Sequence, residues 1–117
     1  PQLITHMINL DMVGRLNFND SLIVYATSSS SQWDKVLNND SRIELNVKNI
    51  PSIFPRSDHA SFIEAGIPSI MLHTGIHKDY HTPTDDFQKI DGDGLTKITE
   101  FIIHTLQNLN RFSNSRP

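Results

Sequence analysis

Two side chains in this sequence sit where an acidic or imidazole group can do chemistry. Asp11 directly follows an apolar run (LITHMINL, residues 3–10), and His81 lies in a loop after a second one (PSIML, residues 68–72). Open α/β sheets collect their chemistry just past the carboxyl ends of strands, so both positions suit a site. A carboxylate and an imidazole are natural zinc ligands, the first hard and able to bridge, the second borderline. Two are still too few, because a structural zinc takes four ligands and a catalytic one about three plus water. On spacing alone, an Asp after a strand more often serves as a turn or capping residue, and a loop His as a structural or surface group.

His73, His77 and His81 recur at four-residue intervals, but that spacing converges imidazoles only on a helix. Gly75 and Pro83 argue against a helix there, so no three-histidine metal cluster is expected. Ser57-Asp58-His59 reads like a catalytic triad written in one line. Triad members come from separated parts of a chain, because adjacent side chains diverge. A helix cap with hydrogen-bonded side chains is the expected role of that stretch.

Composition narrows the setting for these residues. The 117 residues amount to one small domain, residues 1–117, able to bury roughly two-thirds of its unfolded surface. A net charge of -3 gives no reason to expect nucleic acid or an anionic membrane as partner. No run of about 18 apolar residues is present to span a bilayer. The absence of cysteine removes disulfides, thiolate zinc sites and cysteine nucleophiles, yet leaves the compartment open. The chain opens at Pro1 straight into a strand-like segment, which is expected of a piece excised from a longer protein.

The elements that must position Asp11 and His81 follow from periodicity. Residues 3–10 read as a buried strand and Asn17–Ser21 as a turn; LIVYAT (22–27) is a second strand by its β-branched and aromatic content. The serines at 28–31 lead into a helix over Gln32–Asn38 with Trp33, Val36 and Leu37 on one face. Ile43, Leu45 and Val47 alternate with polar residues, the period of a third strand. Ser57–Ala65 reads as a short helix capped by Ser57 or Asp58 and stopped by Gly66; Pro68–Leu72 is a fourth strand. Residues 74–90 have no periodicity, which in a compact domain marks a functional loop. From Asp91, Leu95, Ile98, Ile102, Leu106, Leu109 and Phe112 trace a long amphipathic helix capped by Asp91 or Asp93. The fold class is α/β, a mixed sheet with helices packed on it. Four strands make a thin sheet, and an apolar first strand wants neighbours on both edges.

Four blocks together resemble one family. They are Asn9-Leu10-Asp11-Met12-Val13-Gly14-Arg15; Ser57-Asp58-His59-Ala60-Ser61-Phe62; Gly66-Ile67-Pro68-Ser69-Ile70; and Thr74-Gly75-Ile76-His77-Lys78-Asp79-Tyr80-His81-Thr82-Pro83-Thr84-Asp85-Asp86. In this order they resemble the co-catalytic di-zinc aminopeptidases of metallopeptidase family 28, and they cover essentially the whole chain. The resemblance implies part of a zinc-exopeptidase α/β/α fold, of the phosphorylase/hydrolase-like kind. It implies that Asp11 ligates one zinc and His81 the other, and that the Tyr80 phenol donates to the oxyanion of a tetrahedral intermediate. Asp58 matches a position that supports the loop beside the site, and Asp85 one that orders the loop carrying His81, with a plain turn or helix-start role equally open. The implied reaction is hydrolysis of an N-terminal peptide bond by a water acidified between two zinc ions, with a glutamate moving the proton. The implied substrate is a peptide with a free N-terminus.

The family also needs a His-x-Asp pair, a bridging Asp and a Glu-Glu pair, and none of these precedes Asp11 here. Glu44, Glu64 and Glu100 are the three glutamates, each in an ordinary strand or helix position. The expectation is therefore the C-terminal half of a peptidase domain, inactive alone, whose partner is the missing N-terminal half. Two other readings are set beside it. One is a glutaminyl cyclase-like acyltransferase with a single zinc; the other is a non-catalytic binding or dimerisation domain of the same fold. Proteins of this kind are often exported to the periplasm or secreted.

Overall fold

The computed structural model describes residues 3–37 and 42–114, with the side chains of 113 and 114 excepted. Its four strands are β1 (Met7–Leu10), β2 (Leu22–Tyr25), β3 (Val47–Ile50) and β4 (Ser69–His73). Four helices join them: α1 (Leu16–Asn19), α2 (Gln32–Val36), α3 (His59–Glu64) and α4 (Gly92–Asn114). The strand order is β1-β4-β2-β3. β1 runs parallel to β4 and β2 parallel to β3, while β2 meets β4 antiparallel. The sheet is mixed, as its sequence pattern requires, and the chain is α/β.

β4 is central, buried at all five positions, and its alternation sorts residues between two faces. Ile70 and Leu72 join Ile8, Leu22 and Val24 in a core closed by Trp33, Val36 and Leu37 of the α2 region and by Ile98, Phe101 and Leu109 of α4. Burying each such side chain is worth about 1.5–3 kcal/mol. Met71 and His73 point to the opposite face, where α3 packs on β4 and β1. The serine run also has a structural role. Ser29 Oγ accepts from Trp33 Nε1 (2.9 Å) and donates to Ser69 O (2.7 Å), tying the core tryptophan to the head of β4.

Several boundaries differ from the sequence reading for identifiable reasons. β1 begins at Met7 rather than Leu3, because β4 offers partners only from Ser69. The turn expected over Asn17–Ser21 contains the single-turn helix α1, ended by Asp20 in a left-handed conformation. β2 stops at Tyr25, since Ala26 turns left-handed (φ 70°) and a 3-10 turn follows at Thr27–Ser29. α2 ends at Val36, and the expected extension to Asn38 reaches outside the described residues. Ile43 and Leu45 do alternate in burial with their neighbours, yet ladder pairing starts only at Val47. α3 has no side-chain cap: Asp58 occupies that position without the bond, and the Ser57 hydroxyl is engaged elsewhere. Gly66 (φ 82°) ends that helix, as its type foretells. Asp91 caps α4 by accepting from Gly94 N (3.0 Å). On α4, Leu106 faces solvent, and Phe101 and Thr105 take the buried stripe in its place.

Candidate functional site

β1 and β4 are parallel neighbours in register, Leu10 opposite Leu72, so both chains leave the sheet at the same edge. Asp11 N donates to Leu72 O (3.1 Å), which fixes the aspartate at the strand end. The loop after β4 returns over the same edge carrying Tyr80 and His81. Asp11, Tyr80, His81 and Asp85 thereby line one open cleft of about 420 Å³. Met12, Phe54, Arg56, Met71, His73 and Ile76 complete its walls.

Each expected residue has definable surroundings. Asp11 Oδ2 accepts from Ser57 Oγ (2.6 Å), and that hydroxyl in turn accepts from Asn9 Nδ2 (2.7 Å). This relay from β1 through the 51–58 loop orients the carboxylate and leaves Oδ1 without a partner among the described residues. The His81 imidazole stacks on the Tyr80 ring, centroids 3.9 Å apart and 19° from parallel. Asp85 Oδ1 accepts from Arg15 Nη2 (2.7 Å). Asp58 is exposed, lies outside the cleft lining, and makes no side-chain hydrogen bond among the described residues; its neighbour Ser57 makes the contact with Asp11.

Three cleft residues adopt left-handed backbone: Met12 (φ 63°), Phe54 (φ 46°) and His81 (φ 56°). Such conformations cost on the order of 1–3 kcal/mol each for non-glycine residues and gather at working sites. Only two further non-glycine residues share them among the described residues, Asp20 and Ala26. Backbone strain is thus concentrated around Asp11 and His81.

His73 ends β4, while His77 and His81 lie in the loop that follows, on no common helix. His59 is buried, with Nε2 against Ile53 O (2.6 Å), away from Ser57 Oγ's bonds. A carboxylate oxygen and an imidazole are donors of the kinds zinc takes, and a site of that ion needs more of them than these two.

Sequence reasoning discounted His73, gave Ser57 a capping role and did not single out Arg56. His73 shares the face of Met71, a placement legible from strand alternation alone. Its Nδ1 accepts from Gly75 N (2.7 Å), so in the neutral ring the proton sits on Nε2. Burial holds its pKa below the ordinary histidine value, helped by His77 and opposed by the Asp11 carboxylate. The Arg56 guanidinium lies over the Phe54 ring (5.9 Å), which stacks on Tyr25 (4.5 Å). No local pattern announces that wall, because it depends on how the 51–58 loop crosses the sheet.

The model of peptidase family M28 matches residues 2–106. The chain belongs to that family. Among solved structures, this M28 chain is similar to the Legionella pneumophila LapA aminopeptidase, with a TM-score of 0.68 and 21% identity. The match covers 90% of this chain and 31% of LapA, so the chain spans about a third of that protein's length. No curated protein matches it in sequence. At this identity LapA establishes the fold, and the M28 membership rests on the family model.

Proposed function

We propose that this chain forms part of the catalytic domain of a zinc aminopeptidase, carrying one wall of the active site. The observation that supports it most is the meeting of Asp11 and His81 on one cleft at the carboxyl ends of adjacent parallel strands, in a chain of peptidase family M28. Asp11 and His81 would each give a donor to zinc. When bound, zinc supplies Lewis acidity and a water acidic enough to attack a peptide carbonyl near neutral pH.

The chain's own residues prepare that chemistry. Ser57 holds one Asp11 oxygen and leaves the other to face the cleft. Tyr80 is 40% exposed, and its phenol would donate to the carbonyl oxygen as negative charge develops there. Phe54, Met71 and Ile76 give apolar walls against which a substrate side chain excludes water. None of Glu44, Glu64 and Glu100 lines the cleft. The proton-carrying carboxylate and the remaining ligands therefore come from residues outside these 117, and the isolated chain binds zinc weakly and hydrolyses nothing.

Assaying the full-length protein and the isolated chain on leucyl and glutaminyl amides tests this reading. The full-length protein should release leucine, lose that activity with chelator, and lose it in Asp11→Asn and His81→Ala. Cyclisation of the glutaminyl amide without leucine release would favour an acyltransferase. Full activity of the isolated chain, or no activity and no zinc binding in either form, would refute the proposal.

A further inference from the structure

We propose that Arg15 is a positioning residue that sets where His81 stands relative to Asp11, by clamping the two loops together. This deepens the peptidase reading and rests on it for the identity of the two ligands.

The two loops are held very differently. The Asp11 loop is sewn to β4: Asp11 N donates to Leu72 O (3.1 Å), and Thr74 donates to Met12 O through both N (2.9 Å) and Oγ1 (2.6 Å). The His81 loop is held to that side at its two ends, where His77 meets the Phe18 ring (6.4 Å) and Asp91 N donates to Gly14 O (2.8 Å), and not by backbone bonds in between. Every residue from 81 to 90 is exposed, so apolar burial does not fix it. Its backbone bonds, Tyr80 N to His77 O, Thr82 N to Asp79 O and Asp85 N to Thr82 O, fold the loop only onto itself.

Arg15 supplies the tie between those ends. It stands four residues after Asp11, and its side chain is only 11% exposed. Nη1 donates to Asp79 Oδ2 (3.0 Å) and Nη2 to Asp85 Oδ1 (2.7 Å), so one planar fork spans the segment that contains Tyr80 and His81. Asp79, two residues before His81, is made a rigid anchor by Thr84 Oγ1 (2.6 Å) and Lys89 Nζ (2.9 Å) on its other oxygen. Lys89 also neutralises Asp79, but from within the same loop. Arg15 alone of the two cations reaches back to the Asp11 side. A fixed fork suits this task better than an ammonium, because it holds two carboxylates at one spacing.

The test compares Arg15→Met with Lys89→Met in the full-length protein. Each removes one cation from Asp79, and only the first cuts the tie between loops. Amide hydrogen exchange without metal should speed at least roughly tenfold at Thr82 and Asp85 in Arg15→Met and stay within about twofold in Lys89→Met. Zinc affinity, by competition with a chromophoric chelator, should fall roughly 10–100-fold in the first alone. Should Arg15→Met fail to fold, Asp85→Ala cuts one arm at a 45% exposed carboxylate and should move both readouts in the same direction. Equal effects of the two cation variants, or wild-type exchange and zinc affinity in a folded Arg15→Met or Asp85→Ala, would overturn the clamp while leaving the peptidase reading intact. Slow wild-type exchange that depends on Arg15, in a protein that neither binds zinc nor cleaves peptides, would uphold the clamp and refute the peptidase.

Discussion

Ser57 Oγ lies 2.6 Å from Asp11 Oδ2 and donates to it, joining two residues that are 46 positions apart in sequence. The bond makes Ser57 the group that decides which Asp11 oxygen is free. Ser57→Ala should weaken zinc binding by the full-length protein roughly tenfold or more, as loss of a ligand's hydrogen-bond partner does. The same change should cost only about 0.5–1.5 kcal/mol of stability, the net worth of one such bond. Chelator competition and urea unfolding measure the two separately.

Tyr80 offers a stack and a phenol, and two substitutions separate them. Tyr80→Phe keeps the ring against His81 and removes the donor, so kcat for a leucyl amide should fall about 10²–10³-fold with KM little changed. Tyr80→Ala removes both, and should additionally weaken zinc binding because His81 loses its support. Equal kcat in wild type and Tyr80→Phe would remove the phenol from the reaction.

The Asp79 carboxyl is held well below the usual carboxylate range, first by the Thr84 hydroxyl, then by Lys89, with Arg15 adding to them and burial opposing. A depressed folded pKa means that the ionised form favours the fold. Its contribution is complete above the unfolded value, about 3.9, and is lost as pH falls from there toward the lower folded value. Asp79→Asn should therefore be less stable than wild type at neutral pH, with the difference shrinking below about pH 4. Thermal unfolding midpoints across the acid range give the check; a gap independent of pH would contradict it.

Gly94 sits where α4 crosses α1. A Cβ there would come within 2.7 Å of Leu16 Cβ, backbone-near atoms that cannot swing aside. Gly94→Ala should destabilise by about 1–3 kcal/mol through overpacking, despite the roughly 1 kcal/mol that alanine gains in a helix. A raised melting temperature in Gly94→Ala would show that the two helices separate more easily than their packing implies.

Much of this was legible in the sequence because it is local. The β4 run, the Gly66 stop, the Asp91 cap and the α4 stripe each follow from residue type and spacing over a few positions. The site was legible only through its motif blocks, since nothing near Asp11 announces that His81 will line the same cleft. Ser57 shows where local reasoning fails. Its type and place before α3 suit a cap, but the Asp11 carboxylate just past β1 competes for the hydroxyl and wins. Leu106 fails for a related reason: the α4 period allows it inward, but the buried stripe runs through Phe101 and Thr105 instead.

The left-handed backbone at Met12, Phe54 and His81 carries a consequence for evolution and engineering. Glycine or asparagine would relax those three positions, so a selection for thermal tolerance alone should drift toward such replacements around the cleft. At His81 the residue most at ease in that backbone is glycine, which has no side chain to offer the zinc proposed there. Robustness and chemistry would be pulling the same three codons in opposite directions.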